Sequence, residues 1–248
     1  MEGPPPRDRW ALARLGPAQV VLCGAALARA VQGMTSLEQA AAIVTRNLRE
    51  MLWDEGSDRP AAVLCRFYRT IDIGQLEPEL QDILRAASES DLEDSTKCLT
   101  LMGSAGDEPS WNSRQESVGH RAIPLSDPAA VRRLPMVARM VQDLGMSIES
   151  VVAGKLPAGD GQSLEEGRVF YVAEAVGSAV VPAQDFVRTH GVKSIIGFGG
   201  VLESGDIWAV ILFTRVAVKP EVARLFRLLG SDVRVALRLL LQKRFFAA

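Results

Sequence analysis

The sequence predicts an α/β fold, a small sheet with helices packed against its faces, and three observations support this prediction. The clearest is a hairpin signal, because two apolar runs, 192–202 and 207–216, are joined by a short polar turn containing Gly205. Shorter apolar runs alternate with helical patterns through the preceding part of the chain. Long segments with apolar residues at helical spacing stand at both ends of the chain.

The composition is that of an ordinary globular protein. The 248 residues are 48% hydrophobic and 23% charged, with a formal net charge of −2, which argues against a general nucleic-acid-binding protein. The longest nearly uncharged stretch, 16–28, is shorter than the roughly 20 residues of a membrane span. Three widely spaced cysteines, Cys23, Cys65 and Cys98, are an odd number. We therefore expect free thiols and a cytoplasmic protein without a membrane anchor.

The N-terminal part predicts a tail and two helices. Residues 1–16 start with a Pro-rich, charged segment that we expect to be disordered. A helix over 17–33 follows, with a proline at its first position. It is apolar on almost every face, so a second chain or another domain should cover its far side. A second helix over 36–53 is capped by Thr35 or Ser36.

The middle of the chain predicts short strands and helices in alternation. Strands are expected at 61–68, 98–102, 122–125 and 169–172, and helices at 77–87, 127–144 and 182–188. Pro128 and Gly145 mark the start and the stop of the longest of these helices. The Gly-rich, acidic segment 154–167 suits a surface loop.

The last predicted helix, 219–246, carries more apolar surface than one core face requires. One apolar row is the expected core face, a second has no predicted neighbour, and arginines lie between the two rows. With the apolar helix 17–33, this surplus suggests a helical dimer interface. The predicted interface residues are Val21, Leu27, Val31, Leu228, Val235, Leu239, Arg227 and Arg234. A solvated arginine face is the simpler alternative for the arginine row.

Motifs for phosphate, metal and nucleophilic chemistry are incomplete. A glycine pair resembling the start of a phosphate-binding loop is followed by Asp206, whose carboxylate would repel phosphate. His120 and His190 lack the spacing to other ligands that a metal site needs. Ser178 lies outside a Gly-x-Ser-x-Gly elbow. We predict a protein that is not an enzyme, with a small hydrolase using Ser178 as an alternative.

A polar set concentrated between residues 111 and 121 is the candidate ligand site. The predicted ligand-binding residues are Trp111, Asn112, Arg114, His120, Arg121 and Gln184; Arg66 and Arg69 belong to the same polar set without being assigned to the site. An aromatic wall with cationic donors suits an anionic or planar ligand. The alternative is that these side chains brace loops and satisfy buried backbone groups. An axial haem ligand at His120 is a further alternative, so the cofactor is left open.

Several strings in the chain resemble a known family. They are Cys-Leu-Thr-Leu-Met-Gly-Ser-Ala-Gly (98–106), Trp-Asn-Ser-Arg (111–114), Gly-His-Arg-Ala-Ile-Pro-Leu (119–125), Pro-Ala-Gln-Asp-Phe-Val (182–187) and Ser-Ile-Ile-Gly-Phe-Gly-Gly (194–200). Over roughly residues 35–240 the chain resembles the GAF domain, a relative of PAS sensory domains. It is most similar to a subgroup that stands ahead of bacterial histidine kinases and PPM-type phosphatases.

The resemblance implies a GAF/PAS-like central antiparallel sheet of five or six strands in a single domain, 17–248. Helices 17–33, 36–53 and 219–246 would form a bundle on it. The implied function is a non-enzymatic bacterial sensing or regulatory module that couples a small-molecule pocket to its terminal helices. We expect a homodimer. Because the sequence stops just past the final helix, the signalling effector is expected on a separate chain, with an excised fragment of a larger signalling protein as the alternative. A protein-interaction scaffold with a vestigial pocket is the main alternative.

Overall fold

The protein has an α+β fold in a computed structural model. The described residues are 9–88, 91–117, 120–155, 168–202, 204–243 and 245–246. The strands are β1 (Trp10–Ala11), β2 (Leu52–Asp54), β3 (Arg59–Pro60), β4 (Ala62–Asp72), β5 (Lys97–Gly106), β6 (Ala122–Pro124), β7 (Val169–Val172), β8 (Ser194–Val201) and β9 (Ile207–Thr214). The helices are α1 (Pro17–Ala30), α2 (Leu37–Met51), α3 (Pro78–Ala87), α4 (Pro128–Arg132), α5 (Pro135–Asp143), α6 (Ile148–Val152), α7 (Gln184–Thr189) and α8 (Pro220–Lys243).

Six strands form the central sheet in the order β6-β5-β4-β9-β8-β7, and every neighbouring pair is antiparallel. The predicted hairpin is confirmed as β8 and β9, which pair out to Val201 and Ile207. The strands β1, β2 and β3 form a separate small sheet. The fold class predicted from the sequence is therefore confirmed.

The central sheet separates two apolar layers. On one face, β4, β8 and β9 contribute Phe67, Phe198 and Trp208 to a core shared with α1, α2 and α8. On the opposite face, Phe170 and Ile195 belong to a second core shared with α4 to α7. Side chains alternate between faces along a strand, so neighbouring residues of β4 reach different layers. The terminal helices and the shorter helices thus lie on opposite sides of one wall.

Two close approaches hold the terminal helices in place. A Cβ atom on Gly24 of α1 would lie 2.0 Å from a carboxylate oxygen of Asp232 in α8, so the two helices meet closely at this point. A Cβ atom on Gly103 of β5 would lie 2.4 Å from the carbonyl carbon of Ala41 in α2. At Gly103 only glycine allows the two backbones to come so near, whereas at Gly24 the close atoms belong to the Asp232 side chain.

The structure changes the bounds of several predicted helices. The predicted helix 127–144 is two helices, α4 and α5, because Pro135 has no N–H and restricts Leu134, whose ψ of 84° is not helical. The predicted helix 17–33 ends at Ala30, shortly before Gly33 at φ +80°. The predicted helices 36–53 and 219–246 are 37–51 and 220–243.

The prediction of a disordered tail over 1–16 is wrong for its last residues. Trp10 and Ala11 pair with β2, and Leu12 and Leu15 are buried in the core. Burial of these apolar side chains stabilises the ordered conformation, although the surrounding segment is rich in polar residues and proline. Residues 1–8 lie outside the described residues, as does 156–167, most of the predicted loop over 154–167.

Two of the predicted interface residues belong to the core. Leu27 is 1% exposed and Val31 is 5% exposed, because this face of α1 packs into the layer shared with α2 and α8. The large apolar side chains exposed on α1 and α8 are Val21, Leu22, Leu228, Val235 and Leu239. The two predicted interface arginines differ in solvent exposure, since Arg227 is exposed and Arg234 is half-buried.

A candidate ligand-binding cavity

A cavity of about 540 Å³ lies on the face of the sheet opposite the terminal helices. Leu64, Leu99 and Ile211 of the central strands line it from the sheet side, and Met136 and Met140 of α5 line it from the helix side. The break between α4 and α5 brings the residues around Pro135 to this lining. The volume lies within the range of about 300 to 1,000 Å³ that is usual for ligand sites.

The body of the cavity is apolar and has an aromatic wall. Trp111 and Phe186 meet edge to face with ring centroids 5.6 Å apart, and Phe186 and Phe213 do the same at 5.4 Å. His190 stands behind this wall, with its ring centroid 4.7 Å from that of Trp111. Such contacts fix the rings in place, so this wall is preorganised rather than collapsed.

The polar groups of the lining are few and positively charged or neutral. The Arg66 Nη1 donates to the Tyr68 hydroxyl at 3.2 Å, and that hydroxyl donates to the backbone carbonyl of His120 at 3.4 Å. The Arg66 Nε is buried and has no hydrogen-bond partner. Arg133, which is exposed, also lines the cavity. No aspartate or glutamate is found among the described lining residues.

Burial decides the protonation of the other two polar groups. Desolvation, and after it the positive charge of Arg66, lowers the pKa of His120. Desolvation raises the pKa of Tyr68 above its usual value of 10.0. At neutral pH the imidazole and the phenol are therefore neutral. His120 also has a left-handed backbone with φ +57°.

The structure places two of the six predicted ligand-binding residues, Trp111 and His120, at the cavity. Asn112 and Gln184 lie outside the lining and brace loops instead. The Asn112 Nδ2 donates to the Gly106 carbonyl at 3.2 Å, and its Oδ1 accepts from the Gly106 N–H at 3.1 Å. The Gln184 Nε2 donates to the carbonyls of Ala175 and Val181 at 3.0 and 2.8 Å.

Arg114 and Arg121 also lie outside the lining. The Arg114 side chain is 3% exposed, and its Nε contacts Glu38 Oε1 at 2.7 Å while its Nη2 pairs with Glu77. The backbone carbonyl of Arg121 accepts from the Leu101 N–H at 2.7 Å. The structure therefore does not bring these four residues to the cavity lining, because nearness in sequence to Trp111 and His120 does not fix the direction of a side chain in an irregular loop.

Several lining residues were missed by sequence reasoning, Arg66 and Tyr68 above all. Both belong to β4, on the same face of the sheet as Leu64. A charged residue inside an otherwise apolar strand was a usable signal, because a buried charge needs a partner. The methionines of α5 carried no signal that separated them from ordinary core residues.

Two arginines on the terminal-helix side reach the end of the chain. The Arg69 guanidinium lies 4.1 Å from the ring centroid of Phe245, and that of Arg114 lies 4.7 Å from the ring centroid of Phe246. The Phe245 carbonyl accepts from the Glu38 N–H at 2.8 Å. Arg69 follows the cavity residue Arg66 by three positions, and Arg114 follows Trp111 by three. Short stretches of backbone thus join the cavity to the two phenylalanines that follow α8.

The three cysteines and Ser178 do not line the cavity. Cys23, Cys65 and Cys98 are buried in the terminal-helix layer, and burial raises the pKa of Cys23 and of Cys98 to about 12. The Ser178 hydroxyl accepts from the Val180 N–H at 3.3 Å.

Within the described residues, no group of His, Cys, Asp and Glu is placed to hold a metal ion. No helix in the described part of the chain is long and apolar enough to cross a membrane.

Comparison with known proteins identifies the fold. No protein-family model and no curated protein matches the chain. The GAF domain from a phosphoenolpyruvate-protein phosphotransferase of Coxiella burnetii is similar in structure, with a TM-score of 0.50 at 10% identity over 91% of this chain and 96% of that one.

Two further structures show similarity at lower TM-scores. Free methionine-R-sulfoxide reductase from Neisseria meningitidis, in complex with its substrate, has a TM-score of 0.49 at 12% identity over 96% of this chain and 99% of that one. The phycoerythrobilin-bound GAF domain from a cyanobacterial phytochrome has a TM-score of 0.42 at 12% identity over 90% and 95%. The chain has a GAF-like fold, as its sequence strings implied.

Proposed function

We propose that the protein is a non-enzymatic sensing module in which occupancy of the cavity changes the packing of the terminal helices. The observation that supports this most directly is the pair of arginine contacts, Arg69 with Phe245 and Arg114 with Phe246, just beyond the end of α8. Each arginine stands three residues from a cavity-lining residue. A ligand that shifts Arg66 or Trp111 therefore acts on a contact that holds the terminal helix.

The proposed output surface is the exposed apolar strip on α1 and α8. Leu228, Val235 and Leu239 stand at helical spacing from Asp232, whose carboxylate packs against Gly24 of α1. Val235 is 77% exposed and Leu239 is 68% exposed. Apolar side chains so exposed in rows mark interaction surfaces, so a homodimer and a separate effector chain belong to this proposal.

The proposal also includes a subgroup of GAF domains and a cellular location. One is the subgroup that stands ahead of bacterial histidine kinases and PPM-type phosphatases, which the sequence strings favour. The other is a cytoplasmic location, which the three free cysteines favour because a reducing compartment keeps thiols unpaired.

The coupling is tested by hydrogen exchange with mass spectrometry on three variants. Leu99→Trp fills the cavity from the sheet and imitates a bound ligand, while Val176→Trp adds the same side chain at an exposed position as the matched control. Arg114→Met removes one of the two contacts to the end of α8. We expect Leu99→Trp to change amide exchange over residues 236–246, Val176→Trp to leave it unchanged, and Arg114→Met to weaken the response to Leu99→Trp. Unchanged exchange in α8 of a folded Leu99→Trp protein would refute the coupling.

A scaffold with a vestigial pocket is the second candidate function. The exposed apolar strip favours it, because this surface serves partner binding whether or not the cavity is used. Light scattering tests the apolar strip independently of the cavity, because it measures the oligomeric state. Val235→Asp should convert a dimer to a monomer. A wild-type monomer at high concentration would remove the dimer from both proposals. A wild-type dimer whose terminal helices ignore the cavity variants supports the scaffold.

A further inference from the structure

In the described part of the chain, Arg66 lies at the cavity without the acidic partner that several other arginines of the fold have. Arg69, Arg114 and Arg215 have buried side chains, and each pairs with an acidic side chain. Arg66 is half-buried at the cavity and has no ion pair among the described residues. Its buried Nε has no hydrogen-bond partner, which is also true of Arg69, Arg121 and Arg215, so it is the place at the cavity without an ion pair that distinguishes Arg66. A guanidinium removed from water without a counter-ion is costly, so this position suits an anion supplied from outside the chain.

The surroundings of Arg66 restrict the kind of anion. A carboxylate has two oxygens that match the donor geometry of one guanidinium. The Tyr68 hydroxyl accepts from the Arg66 Nη1 at 3.2 Å, and its own hydrogen, directed at the His120 carbonyl at 3.4 Å, is a second donor that a bound anion can take over. A phosphate monoester carries up to two charges and more acceptor oxygens than these groups can satisfy. The second cation of the lining, Arg133, is exposed, and water already solvates its charge.

The rest of the cavity restricts the body of the ligand. Beyond the polar end, the lining consists of sheet aliphatics, the α5 methionines and the rings of Trp111, Phe186 and Phe213. Methionine side chains adjust to irregular apolar shapes, and the aromatic rings offer flat faces and edges. A polar or multiply hydroxylated molecule would leave its donors and acceptors unpaired against this surface.

We propose that the ligand of this cavity is an amphipathic organic acid with a single carboxylate. The carboxylate pairs with Arg66 and accepts from the Tyr68 hydroxyl, which gives up its 3.4 Å hydrogen bond to the His120 carbonyl, and an aliphatic or aryl body lies between α5 and the aromatic wall. This inference rests on the proposed function, because it names the chemical class of the signal that the same cavity senses.

The test is calorimetric titration of protein shown to be ligand-free by native mass spectrometry. The probes are octanoate and 4-phenylbutyrate, their primary amides, and octyl phosphate. We expect at least one carboxylate to bind, to bind more tightly than its amide, and to bind more tightly than the phosphate. The loss of one charge-assisted hydrogen bond lowers affinity by about tenfold to a hundredfold.

Variants of Arg66 test whether this residue binds the carboxylate. Arg66→Met keeps the length and apolar stem of the side chain but removes the charge, so it should lower the affinity for the carboxylate without lowering that for the amide. Arg66→Lys should recover part of the loss. Arg121→Met removes the positive charge of an arginine outside the cavity lining and should leave both affinities unchanged. Circular dichroism of each variant confirms that it is folded.

Each other outcome overturns the inference. Equal affinity for acid and amide, tighter binding of octyl phosphate, no binding of any probe, or full carboxylate affinity in Arg66→Met contradicts a carboxylate held by this guanidinium. If Arg66→Met does not fold, the acid-to-amide ratio of the wild type and the Arg66→Lys variant decide the question. The sensing proposal is tested separately by the exchange response to Leu99→Trp, which needs no ligand, so failure of one does not imply failure of the other.

Discussion

Replacing Gly103 by alanine should push α2 away from the sheet. The added Cβ atom would lie 2.4 Å from the carbonyl carbon of Ala41, 2.5 Å from its oxygen and 2.7 Å from the nitrogen of Ala42. Ordinary contacts begin at 3.4 Å, so the helix must move by about 1 Å, the difference between 3.4 and 2.4 Å. All three atoms belong to the backbone, and no flexible side chain is present to yield.

The energetic cost follows from what α2 buries against the sheet. Ala40, Ala41 and Leu48 are completely buried, so a shift of the helix loosens a tightly packed layer. Overpacking of a core costs about 1 to 3 kcal/mol, and we expect the upper end of this range, about 3 kcal/mol, because only backbone can move. For a chain of this size that corresponds to a fall in melting temperature of about 6 to 12 °C.

Urea unfolding followed by circular dichroism measures this change. Gly230→Ala in α8 is the matched control, because its Cβ atom would meet the Phe198 ring at an ordinary 3.4 Å. Alanine inside a helix is preferred to glycine by about 0.5 to 1 kcal/mol, so this variant should be neutral or slightly more stable. A Gly103→Ala protein within about 0.5 kcal/mol of the wild type would refute the close packing of α2 on β5.

Three further predictions concern charged groups. Arg114→Met should lower the free energy of unfolding by about 2 kcal/mol in urea titrations, less than for a fully buried pair because its partner Glu77 is partly solvated; no loss would contradict a stabilising role. His120→Asn tolerates the left-handed backbone and removes a group whose pKa is lowered on folding. Below pH 6.5 the unfolded wild-type chain binds more protons at His120 than the folded chain does, because the pKa of this group is lowered on folding. The wild type should therefore lose stability faster than His120→Asn as the pH falls. Parallel curves of stability against pH would contradict this. Burial raises the pKa of Asp232, so Asp232→Asn should raise the melting temperature at pH 7, and the gain should shrink as pH falls toward 3.8; a gain independent of pH would point to another cause.

The six strands of the central sheet and the longer helices were largely predictable because each has a local signal, whereas the short elements β1, β2, β3 and α6 were not predicted. The β8–β9 hairpin follows from two apolar runs around a glycine turn, and α8 follows from its periodic apolar rows. The break at Pro135 was missed, although proline favours such a break, because apolar residues continue at helical spacing on both sides of it. Local patterns thus identify elements better than they identify the joints between them.

The site was less predictable because it depends on contacts between distant residues. Arg114 has the composition of a ligand-binding residue, yet its partner Glu38 is 76 positions away and no local pattern pairs them. Leu27 looked like surplus apolar surface because α1 is apolar on most sides, and only the packing of α8 shows which side is covered. Arg66 was recognised as part of the polar set but not assigned to the site, because the sequence does not show which face of β4 meets the cavity.

The burial of all three native thiols has a practical consequence for following the terminal helices in solution. Maleimide and methanethiosulfonate reagents attack thiolates, and at neutral pH Cys23, Cys65 and Cys98 are protonated and shielded from solvent. A cysteine introduced at Val235 would therefore be the fast-reacting thiol of the chain. A nitroxide or fluorophore attached there could report the spacing between two copies without first removing the natural cysteines.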